Sequence, residues 1–189
     1  MQGIGKIFEQ QLSCSVPEYV LWYRLHDPAQ AFGGGDKSRF SLKNPFDILM
    51  WDSHRRILYA IEAKTASGES ISFERIKTDK GMIHLHQIEG LNKWNAYPGV
   101  VCGLFIEFRK LEKTIFLDIE SMNKIMDAIP KKSFSIKDLD KNNIPYFVIP
   151  QSKKRTRHTY DLDCFLSRND NLGNRTKGEN YGTGKSYGN

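Results

Sequence analysis

The chain has 189 residues, of which 39% are hydrophobic and 26% charged, with a formal net charge of +6 and a pI near 9.2. That length suits one domain with a real core, and the basic balance points to a polyanionic partner, nucleic acid ahead of a membrane surface. No apolar run approaches the length of a spanning helix and no signal peptide opens the chain, so the expectation is a cytoplasmic protein with no membrane partner.

In chain order, Ile4, Ile7, Phe8 and Leu12 keep helical spacing and predict a first helix, and 19–25 reads as a strand. Residues 31–43, with Gly33, Gly34 and Gly35, read as a flexible loop; no GK[ST] element follows, so it is not a phosphate loop. Two short apolar runs, 45–51 and 56–64, flank a polar turn cluster and predict a strand hairpin. A polar stretch over 66–81 precedes a helix over 82–95, stopped by Pro98 and Gly99. Strands are expected at 99–108, 113–118 and 144–149, with short helices at 121–129 and 160–166. The order implies one α/β (α+β) layered domain over 1–166, with a mixed central sheet flanked by helices. Residues 167–189, polar and rich in Gly and Asn, read as a disordered basic tail. The three cysteines, Cys14, Cys102 and Cys164, lack metal-ligand spacing and read as reduced thiols, two of them in the core. His84 and His86, two apart, are expected on different sides of a helix, which excludes a metal clip there.

The hairpin is where chemistry concentrates. With a two-residue turn (Ser53 and His54) or a four-residue turn (52–55), antiparallel pairing sets Asp47 opposite Ala60. Leu58, Ala60, Glu62 and Lys64 alternate onto one face, and Asp47 joins them, with Glu62 its diagonal neighbour. The opposite face, Ile57, Tyr59, Ile61 and Ala63, is core, so the second strand is expected to be central and covered on both sides. Carboxylates that end a buried run are costly unless paired or metal-bound. Two carboxylates beside an ammonium can hold a hard divalent cation and stabilise charge on a phosphate, which is machinery for phosphodiester hydrolysis.

Gly5-Lys6-x-Phe8-Glu9, the Asp47 strand, Glu62-Ala63-Lys64, Ser72-Phe73 and His86-Gln87-Ile88-Glu89, in that order, resemble the RecU-type Holliday junction resolvases of the PD-(D/E)xK nuclease superfamily. The resemblance reaches Tyr160-Asp161-Leu162 and implies a restriction-endonuclease-like core and a homodimeric, Mg²⁺-dependent endonuclease (Mn²⁺ may substitute) resolving four-way DNA junctions. It implies Asp47, Glu62 and Gln87 as metal ligands, Lys64 as transition-state stabiliser and Glu9 as an accessory acid. The Ala63 carbonyl would add a neutral oxygen. On spacing alone, Gln87 flanks an apolar helix stripe with Leu91 and Trp94, where a surface glutamine fits as well, and Glu9 flanks that of the first helix, where a solvated glutamate is the more frequent explanation. Pro45 stands where the family has a Thr ligand, and only 26–44 is available for the family's long stalk, as in a phage or prophage variant.

Basic residues on mobile segments supply the expected DNA contacts. Lys153, Lys154, Arg155 and Arg157 form the densest cluster, joined by Lys6, by Arg39 and Lys43 on the long loop, and by Arg75, Lys77 and Lys80 before the Gln87 helix. Two alternatives keep the scaffold but change the outcome: a nuclease of the same superfamily cutting duplex or single-stranded DNA, or a non-catalytic DNA-binding protein.

Overall fold

The computed structural model describes residues 3–25, 44–155 and 157–168. The expected loop over 31–43, with Arg39 and Lys43, lies outside the described residues, as does the tail beyond Arg168. The elements run α1 (Ile4–Ser13), β1 (Val20–Arg24), β2 (Ile48–Asp52), β3 (Ile57–Ala66), β4 (Ser70–Ser72), α2 (Leu85–Asn95), β5 (Val100–Phe108), β6 (Lys113–Asp118), α3 (Ile119–Ala128), β7 (Ser133–Ser135), α4 (Ile136–Lys141), β8 (Phe147–Ile149), β9 (Gln151–Lys154), β10 (Arg157–Tyr160) and α5 (Leu162–Ser167).

Six strands form one sheet in the order β1-β2-β3-β5-β6-β8. Every neighbouring pair is antiparallel except β3 and β5, which run parallel and are joined through α2. The sheet is mixed and flanked by helices, as the alternation of elements predicts. β3 is central, and its two faces divide the core in two. Tyr59, Ile61 and Ala63 pack with Phe8 and Leu12 of α1 and with Phe165 and Leu166 of α5. Ala60 and Ala66 face the other way, among Ile88 and Leu91 of α2 and Met122 and Ile125 of α3. Hydrophobic residues on both sides of one strand are the pattern of a strand covered on both faces.

The register of the β2–β3 hairpin differs from expectation by two residues. Ile48 pairs with Ile61 and Asp52 with Ile57, so Asp47 comes level with the Ile61–Glu62 peptide rather than with Ala60. The cause lies in the turn. Asp52 is fully buried, and its Oδ1 accepts the N–H groups of His54 (3.0 Å) and Arg55 (3.1 Å) while Oδ2 pairs with Arg55. That capping keeps Asp52 in the strand and pushes Arg56 into the turn with φ of 56°. Because the shift is an even number, every side chain keeps its expected face.

Several elements were not anticipated. The polar stretch after β3 folds into β4, which pairs with β7. α4 is announced by a capping box, Ser135 with Asp138, in which each side chain accepts the other's backbone N–H. The basic cluster lies on an ordered hairpin, β9 paired with β10, rather than on a mobile segment. α5 continues to Ser167, and the Arg168 guanidinium lies over the rings of Phe116, Phe165 and Phe147. Of the cysteines only Cys102 is buried; Cys14 and Cys164 are exposed. The rings of His84 and His86 stack, centroids 5.5 Å apart, because His84 caps α2 instead of lying within it.

α2 is seated against the chain leading into β2. Trp94 meets Phe46 edge to face at 5.0 Å. A Cβ on Gly90 would lie 2.5 Å from Pro45 Cβ and 3.0 Å from its carbonyl oxygen, so only glycine allows this approach. Gly90→Ala gains up to about 1 kcal/mol of helix propensity but overpacks a backbone contact at a cost of about 1–3 kcal/mol. The expected outcome is a lower urea midpoint for Gly90→Ala, partly restored by adding Pro45→Gly; an unchanged midpoint would show that α2 is free to slide.

Candidate active site

β3 outlasts β2. On one side its residues through Ala66 stay paired with β5, Glu62 with Leu104 and Lys64 with Ile106. On the other side, among the described residues, the strand ladder stops at the Ile48–Ile61 pair. Asp47 takes over where the strand ends: its N–H donates to the Ile61 carbonyl (3.2 Å), and its Oδ2 accepts the Ala63 N–H (3.2 Å). A strand residue's N–H and C=O point to the same neighbour, so the Ala63 carbonyl also faces this opening. Leu25 N–H donates to the Asp47 carbonyl at 2.8 Å and continues the edge through β1.

Glu62 is fully buried at this opening. Its Oε1 accepts from the Gln87 amide NH₂ and from Lys64 Nζ at 2.8 Å, whereas its Oε2, equally buried, has no hydrogen-bond partner. Burial, and then the Asp47 charge beside it, push the Glu62 carboxyl up to about 8, against the opposing pull of Lys64. The approach of Asp47 to Glu62 becomes a hydrogen bond only if one of them carries a proton. With both ionised, acceptor faces acceptor, and the arrangement suits a cation. An orphaned anionic oxygen, a second carboxylate and a backbone carbonyl are hard oxygen donors of the kind Mg²⁺ selects. Among the described residues there is no cluster of three or more His, Cys, Asp or Glu side chains able to hold a metal, so such an ion would keep much of its water.

The structure therefore brings Asp47, Glu62, Ala63, Lys64 and Gln87 together. Glu9 is separate: α1 lies on the opposite face of the sheet, and Glu9 pairs with Arg24, whose neighbour Leu25 bonds Asp47. Pro45, without a ligand oxygen, packs against Gly90. Gln87 is third in α2, and its Oε1 accepts the His84 backbone N–H at 2.9 Å. The glutamine three residues after the cap was the available signal for that contact.

The basic residues divide. β8 runs antiparallel to β6 and β6 to β5, so β8, at the edge of the sheet, ends toward the same end of the strands as Glu62 and Lys64 on the central β3, and the β9–β10 hairpin follows it there. Lys154, Arg155 and Arg157 are exposed on that hairpin, and Lys153 pairs with Glu112 at 2.8 Å. Lys6 on α1 and Lys77 and Lys80 before α2 are exposed. Arg75 is engaged within the fold: its guanidinium donates to the Ile129 and Lys131 carbonyls and lies over the Phe73 ring.

The raised Glu62 group makes the metal-free protein pH-sensitive. Its carboxyl binds a proton up to about pH 8 in the folded chain but only to about 4.5 at its ordinary value. Between those limits the native state holds more protons than the unfolded one, so stability falls as pH rises. Each unit of difference contributes at most about 1.4 kcal/mol. Urea unfolding in a chelator should show that slope in the native sequence and a flatter profile in Glu62→Gln. An equal slope in both would place its source elsewhere.

No protein-family model matches the chain. A protein of Bacillus subtilis (strain 168), described as the SPbeta prophage-derived uncharacterized protein YotM, is 25% identical over 171 residues, which cover 84% of this chain and 83% of that protein. Among solved structures, Hjc of Archaeoglobus fulgidus, described as a Holliday junction resolvase from an archaeal hyperthermophile, aligns over 72% of this chain and 91% of its own, with a TM-score of 0.43 and 14% identity.

Proposed function

We propose that this chain is a divalent-metal-dependent endodeoxyribonuclease with a restriction-endonuclease-like core, cutting four-way and related branched DNA as a homodimer. The observation that carries the reading is Glu62: a fully buried carboxylate with one orphaned oxygen, beside a second carboxylate and a lysine, where the central strand loses its neighbour. A structural ion pair would satisfy both oxygens of such a group; a site for a ligand leaves one open.

Asp47, Glu62 and the Ala63 carbonyl would hold Mg²⁺ or Mn²⁺, which supplies polarisation of the scissile phosphate and a more acidic attacking water. Lys64 shares the face of Glu62 and holds its ammonium 2.8 Å from Oε1. From there it orients the attacking water or offsets charge that builds on the phosphorane oxygens. Glu9, paired with Arg24 on the opposite face of the sheet, would act only through Arg24 and its neighbour Leu25, which bonds Asp47. The β9–β10 hairpin follows β8 at the site's end of the sheet, where Lys153, Lys154, Arg155 and Arg157 would follow the DNA backbone; the exposed Lys6, Lys77 and Lys80 would add phosphate contacts. A homodimer gives two such sites related by a twofold axis, the symmetry that paired cuts across a junction require. The motif order shared with junction resolvases supports branched DNA over plain duplex.

Purified protein with Mg²⁺ should nick opposite strands of a four-way junction symmetrically and leave duplex and single strands of equal sequence intact. Cutting of every form would favour a general nuclease. Binding without cutting in Mg²⁺ or Mn²⁺, unaltered in Asp47→Ala, would leave a DNA-binding protein. Asp47→Ala, Glu62→Gln and Lys64→Met should each lower cleavage by about 10²-fold or more while junction binding in a chelator persists.

Neutralising Lys153, Lys154 and Arg155 together should weaken binding and flatten its dependence on salt by up to about three phosphate contacts. An unchanged salt slope would remove the hairpin from the interface.

A further inference from the structure

We propose that Gln87 is a positioning residue for the cation site and not one of its ligands: its amide NH₂ holds Glu62 by Oε1 and so presents Oε2 to the ion. This rests on the metal-site reading above and departs from the ligand role that the sequence motif implies.

The orientation of the amide carries the inference. An amide's oxygen and nitrogen are usually assigned from their surroundings, and here the surroundings are decisive on both sides. The His84 backbone N–H can only donate, and it lies 2.9 Å from the Gln87 oxygen. The Glu62 oxygen, when ionised, can only accept, and the Gln87 nitrogen faces it. Turning the amide over would set donor against donor at His84 and acceptor against acceptor at Glu62, losing both bonds. To turn its oxygen toward a cation, Gln87 would have to give up the capping bond to the His84 N–H at the start of α2. That helix is not free to move, since Gly90 abuts Pro45, Trp94 packs on Phe46, and Ile88 and Leu91 are in the core.

The division of donors on Glu62 points the same way. Gln87 and Lys64 both donate to Oε1, and Oε2 receives nothing although both atoms belong to a side chain wholly out of water. Two donors on one oxygen pin the carboxylate's rotation and leave Oε2 as its free oxygen, next to the Ala63 N–H that holds Asp47. Groups that orient a ligand from behind are commonly worth about 10–100-fold in metal affinity.

The test uses Mn²⁺ with the full chain. Gln87→Met keeps the volume but has neither amide group. It should weaken the Mn²⁺ dissociation constant by about tenfold or more, while the number of waters directly on the ion, read from ¹⁷O-water broadening of the Mn²⁺ EPR spectrum, stays that of the native protein. One additional water in Gln87→Met would mean that a ligand had been removed, and would overturn the inference; so would unchanged affinity. If Gln87→Met does not fold, the native protein decides. The Gln87 side-chain NH₂ resonances, assigned through contacts to α2, should stay shifted and slow to exchange when Mg²⁺ saturates the site. Their collapse to free-amide values would overturn it. Failure of the underlying reading is distinct: native protein and Asp47→Ala would then bind Mn²⁺ equally, or neither would bind it.

Discussion

The constraint on which the site depends is a carboxylate taken wholly out of water at the end of a central strand. Glu62 sits on a strand flanked by β2 and β5 and covered by α2 on its own face. An ionised carboxylate there must be matched by donors or by a cation, or it takes up a proton. Lys64 and Gln87 satisfy one oxygen and leave the other, so neutralisation is partial by construction. Burial, rather than any single partner, is the first cause of its raised proton affinity. The same partial matching that makes an ionised Glu62 costly leaves one buried oxygen open to a further donor or cation.

The supports around Glu62 are backbone devices as much as side chains. The Ala63 N–H fixes the Asp47 carboxylate, the His84 N–H fixes the Gln87 amide, and the Ile61 carbonyl fixes the Asp47 backbone. Each takes a backbone group that a longer β2, or a longer first turn of α2, would have used internally. The close packing of Gly90 on Pro45 then joins the two suppliers, setting the helix that carries Gln87 directly against the segment that carries Asp47. A position that could have added a ligand oxygen instead holds the site together mechanically.

Side-chain parity was legible in the sequence because period-two alternation from Ile57 to Lys64 is strong, and because an even slip leaves faces unchanged. The register itself was not, since it is set by the Asp52 carboxylate folding back on the amides of His54 and Arg55, a contact that does not alter the apolar pattern. α2, β5, β6 and α3 were legible from periodicity and stop signals. β4, β7 and the β9–β10 hairpin were not: three or four residues such as Ser70–Ser72 or Gln151–Lys154 carry too few alternations to show a period. The capping box of α4 was a visible signal, Ser135 three before Asp138, that the strand-and-helix pattern alone did not use. At the site, Asp47, Glu62 and Lys64 were legible as residue types on one face. The direction in which Gln87 points was not, because it depends on a backbone amide that every sequence possesses.

The opening lies where strand lengths are unequal, and this explains how a buried carboxylate and a packed core coexist on β3. From Leu58 to Ile61 the strand has a partner on each side and both faces are apolar; from Glu62 onward only β5 continues among the described residues. On the face toward α1, Ala63 keeps the core sealed beneath the site. On the other face, Glu62 and Lys64 replace hydrophobic residues over two alternations, and Ala66 closes the apolar layer beyond them. The cost of charge in the sheet is thus confined to one face and to a few residues, with packed strand before and after. Extending β2 by two residues would pair the Ala63 amide and carbonyl into the ladder, displace Asp47 and close the opening, while leaving nearly all of the hydrophobic core in place. The fold tolerates the site because stability comes from the strand's first half and the opening from its second.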